Sequence, residues 1–320
     1  MWKFTLRRTL IMIPQLIVLS ILIFVLGQLM PGDALSGQVG PEVDPARLDE
    51  IRENMGWNDP WHEQYARWMG GVLQGDLGQS FRFKMPVTEL IGERIMNTFW
   101  LSVATLIFTY LIAIPLGIVS GRYNDTWRDQ LITGYTYVGF ATPLFIFALV
   151  MLWLFGFNLG WFPTSGSVTP GLQPGTFDYL VSKIYHLILP AFSMALITTY
   201  STIQYLRNEI VDTKQKDFIL TARAKGASER RVYNHHILRN SLLPIAAFFG
   251  FEITGLIGGS IFIENIFGYP GMGQLLVESI SLRDYTVLTA TTLLFGVASI
   301  LGALLSDIIL SIVDPRIRIK

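Results

Sequence analysis

Six long apolar stretches dominate this 320-residue chain and limit it to very few folds. They lie at 9–29, 97–119, 131–155, 184–205, 242–263 and 285–312. About twenty apolar residues form a helix long enough to cross a hydrocarbon core roughly 30 Å thick. Hydrophobic residues make up 51% of the chain and charged residues only 15%. The sequence therefore predicts an all-α integral membrane protein with six transmembrane helices.

Basic residues are sorted between the loops, although the formal net charge is zero. With the N-terminus inside, 16 of the 24 Lys and Arg residues fall in inner segments, eight of them within 205–240. The positive-inside rule then predicts that both termini are cytoplasmic. The first apolar run is too long for a signal peptide and is interpreted as a retained helix. The charge balance gives no indication of a nucleic-acid partner.

The segment after the first span, 31–94, is too polar to cross a membrane and is rich in aromatic residues. It predicts short amphipathic helices at 45–55 and 61–73. Two interpretations stay open. The segment is either a cap packed on the outer ends of the helices or a landing surface for an external substrate-delivery protein.

Two carboxylates and two glycine pairs stand out within the spans. The glycines have the G-x-x-x-G spacing that lets helix backbones approach closely, Gly117 with Gly121 and Gly255 with Gly259. A carboxylate near the bilayer centre costs about 2.5–3.5 kcal/mol, so it should face the bundle interior, a wet cavity or a partner. Glu252 is interpreted either as lining a translocation path or as a structural hydrogen-bond acceptor. For Asp307, nearer the inner face, the structural interpretation is favoured.

Other polar residues of the spans are candidates for the same path. With Glu252, they are Ser201, Thr202, Gln204, Thr254 and Ser260. Each of these side chains can equally well hydrogen-bond one helix to another, so the pattern alone leaves both roles open.

The chain lacks the residues that an enzyme or a metal site would need. It has no cysteine, and its four histidines have no H-E-x-x-H spacing, so no metal site is expected. It contains no Gly-Lys pair and therefore no phosphate-binding G-x-x-x-x-G-K-[ST] loop. We therefore expect no catalytic residue and no cofactor bound by this chain. Any ATP and magnesium must be used by another subunit.

The basic loop 205–242 predicts a helix, a tight turn and a second helix. The first helix covers 217–225 and ends at Gly226, and Ser228 is a candidate N-cap for a helix that begins at Glu229. One interpretation is a basic collar attracted to anionic membrane lipid. The other is a docking surface for a cytoplasmic protein. Three apolar residues of the first helix favour docking because they could bury in a groove of that protein, namely Phe218, Ile219 and Ala222.

Short strings distributed along the whole chain have an order and spacing that is far more specific than any one of them. They are Leu6-Arg7-Arg8 with Ile13-Pro14, Met30-Pro31-Gly32-Asp33, Gly75-Asp76-Leu77-Gly78-Gln79-Ser80, Ala222-Arg223-Ala224-Lys225-Gly226-Ala227-Ser228, Asn240-Ser241-Leu242-Leu243-Pro244, Gly258-Gly259-Ser260, Glu264-Asn265-Ile266-Phe267, Pro270-Gly271-Met272-Gly273, Arg283-Asp284-Tyr285 and Asp314-Pro315-Arg316. With these strings the chain resembles the permease subunits of ATP-binding-cassette (ABC) importers, in the branch that handles dipeptides, oligopeptides and nickel.

The resemblance implies a type I importer permease fold in a bacterial or archaeal cell membrane. It implies a core domain at 94–312, an added first helix and outer region at 1–93, and a cytoplasmic tail at 313–320. The implied partners are a second homologous permease, two cytoplasmic P-loop ATPase subunits and an extracytoplasmic solute-binding protein. The residues implied to couple ATPase closure to helix rotation are Thr221, Ala222, Arg223, Ala224, Lys225, Gly226, Ala227, Ser228 and Arg231.

The substrate is the least determined part of this expectation. The absence of cysteine and of a histidine cluster disfavours nickel, and few fixed charges in the spans favour peptides of varied sequence, oligopeptides before dipeptides. Nickel complexes and oligosaccharides stay alternatives. A carrier driven by an ion gradient is a second hypothesis, but it fits poorly with so few charges in the spans. A structural or receptor subunit that conducts nothing is a third.

Overall fold

The computed structural model describes residues 2–29, 53, 56, 58–242, 245 and 260–313. Within these ranges the chain is helical and has no β-strand. Its helices are α1 (Trp2–Leu29), α2 (Trp61–Leu73), α3 (Val87–Arg122), α4 (Trp127–Ala141), α5 (Leu144–Met151), α6 (Phe177–Lys214), α7 (Asp217–Ala224), α8 (Glu229–Arg231), α9 (Met272–Leu282) and α10 (Tyr285–Val313). Two π-helical stretches, Leu152–Asn158 and Val232–Leu238, continue α5 and α8. Most of the predicted helix 45–55, span 242–263 and tail 313–320 lies outside the described residues.

Four of the predicted spans are confirmed as helices long and apolar enough to cross a membrane. They are α1, α3, α6 and α10. The pair formed by α4 and α5 adds a fifth if the two are counted as one broken span. The all-α membrane architecture is therefore confirmed. The number six stays a prediction, since the span at 242–263 falls mainly outside the described ranges.

The predicted span at 131–155 is corrected, because it is not one straight helix. α4 ends at Ala141, α5 begins at Leu144, and the two helix directions differ by 104°. Thr142 has an extended backbone, with φ −91° and ψ 119°. A residue that precedes proline is driven out of the helical region, and Pro143 has no N–H to continue the helical hydrogen bonds. The Thr142–Pro143 step therefore breaks the span.

α3 packs closely along α6 at two glycines. A Cβ added to Gly117 would lie 3.0 Å from the side chain of Leu206, and one added to Gly121 would lie 2.7 Å from Ile210 Cβ. A larger side chain at either glycine would push the helices apart. The close packing predicted from the G-x-x-x-G spacing is thus confirmed for this pair, while Gly255 and Gly259 lie outside the described residues.

α1 runs antiparallel to α10 and is joined to it at two levels. Leu19 packs where Gly296 leaves no room for a Cβ. Nearer the other end, the Arg8 guanidinium lies 3.0 Å from the Asp307 carboxylate. This ion pair gives Asp307 the structural partner that its position in the sequence suggested.

α2 has the bounds predicted for the second amphipathic helix, and it packs on α1. The Tyr65 ring meets Phe24 edge to face at 5.5 Å between centroids, and its hydroxyl lies 2.8 Å from Ser20 Oγ. Trp68 packs on Phe24 as well, at 5.9 Å. These contacts fit the cap interpretation of the outer segment. The landing-surface interpretation stays open, because much of α2 remains exposed.

We name the two ends of the helix bundle after the residues and helices that lie there. The basic end holds α7, α8 and the turn between α3 and α4. The α9 end holds α2 and α9. α3 and α6 both run from the α9 end to the basic end, so the C-terminus of α6 leads directly into α7.

Candidate functional site

The predicted helix–turn–helix of the basic loop is present at the basic end. α7 ends one residue before the predicted limit, and Gly226 adopts φ +79°. The turn is closed by backbone hydrogen bonds from Gly226 N to Arg223 O at 2.9 Å and from Ala227 N to Ala222 O at 3.2 Å. Glycine adopts this left-handed conformation without the steric cost that a Cβ imposes. We call residues 221–231, for which the family resemblance implies a role in coupling, the coupling segment.

Ser228 lies at the predicted position before α8, but its side chain does not cap the helix. Its backbone is extended, and its carbonyl accepts hydrogen bonds from Arg231 N and Val232 N at 2.8 and 2.9 Å. No side-chain cap hydrogen bond forms at Ser228 in the described structure. The expected start of the helix is confirmed, and the expected capping contact is corrected.

The apolar residues of α7 are divided between the chain's own interior and its surface. Ile219 is fully buried and Ala222 is 8% exposed, in a cluster with Leu206, Ile210 and Val232. The expectation that both would bury in a partner's groove is therefore corrected. An amphipathic helix shows which side is apolar, but its sequence does not say what covers that side.

Two other apolar side chains of α7 are open to solvent, lipid or a partner. Phe218 is 42% exposed and Leu220 is 58% exposed. Phe218 was expected to be available for docking, and Leu220 was missed by the sequence analysis.

The remainder of the coupling segment forms an exposed, basic surface. Its exposed members are Thr221, Arg223, Ala224, Lys225, Gly226, Ser228, Glu229, Arg230 and Arg231, while Ala227 is half-buried. Arg223 donates two hydrogen bonds to Glu229 across the turn, at 2.8 and 3.1 Å. This hydrogen bonding holds the pKa of the Glu229 carboxyl below its usual range and raises the pKa of Arg223. The ion pair and the apolar base together hold the turn in a defined shape.

Two of the four candidate path residues, Gln204 and Ser260, lie within the described residues. Gln204, on α6, donates a hydrogen bond to Thr136 of α4. Ser260 is buried and hydrogen-bonds to the Glu264 carboxylate. Glu252 and Thr254 lie outside the described residues. The lining role of all four stays a prediction.

A buried polar cluster at the basic end was missed by the sequence analysis. The Asp129 carboxylate accepts two hydrogen bonds from Arg207, each 2.6 Å long, although the residues are 78 positions apart. Nearby, Lys214 donates to the carbonyl oxygens of Gly121 and Arg122 at 2.6 and 2.8 Å. Arg207 and Lys214 had been counted only as loop charges, because both lie beyond the apolar run of α6. An acidic residue beside an apolar run was the available signal.

A second polar cluster, at the α9 end, explains why several of the family-like strings occur. Glu264 Oε2 accepts hydrogen bonds from Gly273 N and Gln274 N, at 2.6 and 3.0 Å. Its other oxygen accepts one from Thr98 of α3 at 2.7 Å. A Cβ on Gly271 would lie 2.3 Å from the Glu264 carboxyl carbon. The string that contains Glu264 therefore requires glycine at 271 and 273 in the following string, because a Cβ at either position would lie too close to the carboxylate.

The strings Gly75–Ser80 and Arg283–Tyr285 are also brought together. Ser80 Oγ donates a hydrogen bond to the Asp284 carboxylate, and Arg82 N donates to the same oxygen at 3.1 Å. Asp284 is buried just before α10. The outer segment is thus fixed to the end of the bundle through a carboxylate 204 residues away in sequence.

Several long apolar helices, with an exposed helix–turn–helix at one end, define a multi-pass membrane protein. Residues 113–319 match the family model of the binding-protein-dependent transport system inner membrane component. Residues 1–102 match the N-terminal model for the membrane component of the same systems. The chain belongs to this family of ABC importer permeases. In this family ATP is hydrolysed by separate subunits, so the expectation of a non-enzymatic transport subunit is confirmed.

Full-length relatives and a solved structure support this assignment. The oligopeptide transport system permease protein AppB of Bacillus subtilis is 41% identical, over 99% of this chain and 100% of that protein. The glutathione transport system permease protein GsiC of Salmonella paratyphi A is 34% identical over 100% of both chains. The inward-facing MetNI methionine ABC transporter is only 15% identical but shares the fold, with a TM-score of 0.56 over 70% of this chain and 96% of that chain.

Proposed function

We propose that this chain forms half of the translocation path of an importer that takes up peptides, oligopeptides before shorter ones. An extracytoplasmic solute-binding protein delivers the substrate, a second homologous permease completes the path, and two cytoplasmic ATPase subunits drive it. Full-length similarity to an oligopeptide permease supports the substrate class. Membership of a binding-protein-dependent family supports the partners.

The observation that carries the proposal is the coupling segment. Its turn is exposed and basic, while the helix beneath it is fixed to α3 and α6 by buried Ile219 and Ala222. When the ATPases displace a turn that is anchored in this way, α3 and α6 move with it, and the turn does not bend independently of them. α6 has 38 residues, so it extends roughly 57 Å at 1.5 Å per residue and reaches from the turn to the other end of the bundle. ATPase closure at the turn is thereby transmitted to the path.

The orientation and the path follow from the same arrangement. We place the basic end and both termini in the cytoplasm of a bacterial or archaeal cell, as the sorting of basic residues favours. Exposed Phe218 and Leu220 beside the basic surface suit contact with lipid or with the ATPase. Ser201, Gln204 and Asn208 share one side of α6, where each keeps some exposure. A polar side chain at the end of a span favours water or a partner over lipid, so we assign the side of α6 that carries Ser201 and Gln204 to the path.

Gentle solubilisation of the tagged chain, with and without ATP, tests the assembly. We expect a second six-span permease and two ATPases with P-loops to co-purify, because the chain belongs to a binding-protein-dependent family and its coupling segment is exposed. Identification by mass spectrometry is the measurement. A chain that is recovered alone and still transports would contradict the proposal and favour the ion-driven carrier.

Glutathione is a second candidate substrate, because GsiC relatives match the chain over its whole length. Uptake of a labelled pentapeptide into proteoliposomes with the complete system separates the two. We expect unlabelled tetra- and pentapeptides to halve uptake at a concentration about tenfold or more below the concentration of glutathione that does so, which corresponds to a preference of at least ~1.4 kcal/mol over glutathione. Equal or stronger competition by glutathione, by dipeptides or by a nickel complex would reassign the substrate while leaving the importer assembly intact.

A further inference from the structure

The basic ends of α3, α4 and α6 are joined by a polar cluster that the proposed coupling function does not yet use. Its centre is Asp129, near the start of α4, which is 3% exposed. Arg207 of α6 donates a hydrogen bond to each carboxylate oxygen, from Nε to Oδ1 and from Nη2 to Oδ2, and both are 2.6 Å long. Such a two-point contact fixes the relative orientation of the two groups as well as their distance.

Asp129 is also connected to α3 and to the turn between α3 and α4. Ser120 Oγ donates to Oδ1 at 2.5 Å, and the backbone N–H of Asp125 donates to Oδ2 at 2.8 Å. Thr133, one helical turn further along α4, donates to Oδ1 at 3.2 Å. The carboxylate is therefore a junction at which three helices meet.

Lys214 fixes the same turn from a second point on α6. Its ammonium group donates to Gly121 O, Arg122 O and the Asn124 side-chain carbonyl, at 2.6, 2.8 and 2.7 Å. Lys214 lies seven positions after Arg207, so both project from the same side of α6. The two cations hold the turn between them.

The coupling segment lies directly beyond this cluster on both sides. α7 begins at Asp217, three residues after Lys214. On the far side of the segment, the Tyr233 hydroxyl donates to Ile118 O of α3 at 3.3 Å, and the Arg122 guanidinium lies 4.7 Å from the Tyr233 ring centre. A displacement of the coupling segment therefore reaches α3 and α6 at the same time.

We infer that Asp129 and Arg207 are positioning residues that make the basic ends of α3, α4 and α6 move as one body when the coupling segment is pushed. This inference rests on the proposed function. α4 receives the displacement through Asp129, since the coupling segment itself adjoins α3 and α6. The bend of 104° at Thr142–Pro143 lies at the other end of α4 and separates α4 from α5.

A buried ion pair serves this role better than apolar packing alone. Replacing a buried ion pair by apolar residues often leaves the stability of a protein unchanged. The presence of the Asp129–Arg207 pair is therefore not explained by stability alone. Its directed hydrogen bonds, however, permit only one arrangement of the groups that they join. Gly117 and Gly121 bring the backbones close, and the ion pair determines their register against α4.

The test compares two isosteric substitutions in the same turn. Asp129→Asn removes the buried charge that Arg207 grips. Asp125→Asn removes a carboxylate of the same turn that is exposed, and asparagine tolerates the left-handed φ of +64° at that position. Both variants are studied in the assembled importer, with ATP hydrolysis, uptake and complex recovery measured on the same preparation.

We expect Asp129→Asn to assemble and to hydrolyse ATP at a rate within about twofold of wild type, while uptake falls about tenfold or more. Asp125→Asn should match wild type in all three measurements. Arg207→Lys keeps the charge but loses the two-point grip, so its uptake should lie between the two. It also decides the outcome if Asp129→Asn fails to fold.

A distance measurement separates positioning from simple stabilisation. The chain contains no cysteine, so spin labels can be placed at exposed Gln130 of α4 and exposed Asp212 of α6. With partner subunits made cysteine-free, we expect one unchanged label distance with and without ATP in wild type, and an ATP-dependent shift or broadening in Asp129→Asn.

Three results would overturn the inference. They are normal uptake by Asp129→Asn and Arg207→Lys, a label distance that stays fixed in both variants, or equal losses of uptake and ATP hydrolysis in both. Wild-type uptake that does not need ATP would instead contradict the proposed function. The two failures are therefore distinguishable.

Discussion

Replacement of Gly226 by proline is expected to abolish ATP-driven uptake while leaving the chain inserted in the membrane. Gly226 has φ +79°, whereas proline is fixed near −65°. Proline also removes the N–H that donates to Arg223 O at 2.9 Å. If the native turn becomes ~3 kcal/mol less favourable, its population falls by about two orders of magnitude. ATP-dependent uptake into proteoliposomes, normalised to the inserted protein, is the measurement.

Two control variants separate the shape of this turn from general damage. Gly226→Ala meets no atom within 4 Å, so it carries only the backbone cost of a left-handed alanine, about 1–2 kcal/mol, and should keep part of the uptake. Gly171→Pro introduces the same substitution at φ +90° in an exposed turn away from the coupling segment and should transport like wild type. Normal uptake by Gly226→Pro would remove the coupling segment from the mechanism.

The features that sequence analysis predicted well are those that a local pattern determines. A span must be long and apolar because no water satisfies its backbone within the bilayer, so hydropathy located α1, α3, α6 and α10. The turn at Gly226 is equally local, since a glycine between two helix-forming segments predicts a left-handed termination. Both the spans and the turn were therefore accessible without any knowledge of tertiary contacts.

The features that sequence analysis missed depend on the direction of the chain or on distant partners. A hydropathy window averages over Thr142 and Pro143 and so cannot report a bend of 104°. The pairing of Asp129 with Arg207 joins residues 78 positions apart, and each alone resembles an ordinary loop charge. Burial of Ile219 within the chain likewise follows from the folded position of α7 and not from its composition.

The family-like strings illustrate the same limit in another way. Their order identified the family, yet nothing in the sequence said that Ser80 meets Asp284 or that Glu264 meets Gly273. Side chains in such pairs specify each other only once the helices are packed. Their roles at the α9 end could therefore be assigned only from the structure.

Removal of the Glu264 side chain is expected to be the most destabilising single substitution considered for this chain. Glu264 is fully buried, and its carboxylate occupies the N-terminus of α9, where it accepts hydrogen bonds from the second and third residues of the helix. Thr98 Oγ1 donates to Glu264 and accepts from Met272 N at 2.8 Å, which completes the cap. Glu264→Ala strands these donors, and each buried donor without a partner costs about 1–3 kcal/mol.

The expected total of ~4 kcal/mol corresponds to a fall in Tm of about 6 °C for a chain of this size, measured by thermal unfolding in detergent. Glu264→Gln should lose much less, because its amide oxygen can still accept from Gly273 N and Gln274 N while its NH2 group faces Thr98 Oγ1. Glu63→Ala, at an exposed position of α2, serves as the surface control and should leave the Tm nearly unchanged. A Tm for Glu264→Ala close to that of the surface control would show that α9 does not depend on this cap. In that case the close approach of Gly273 to Ile261 would have to position α9 by packing alone.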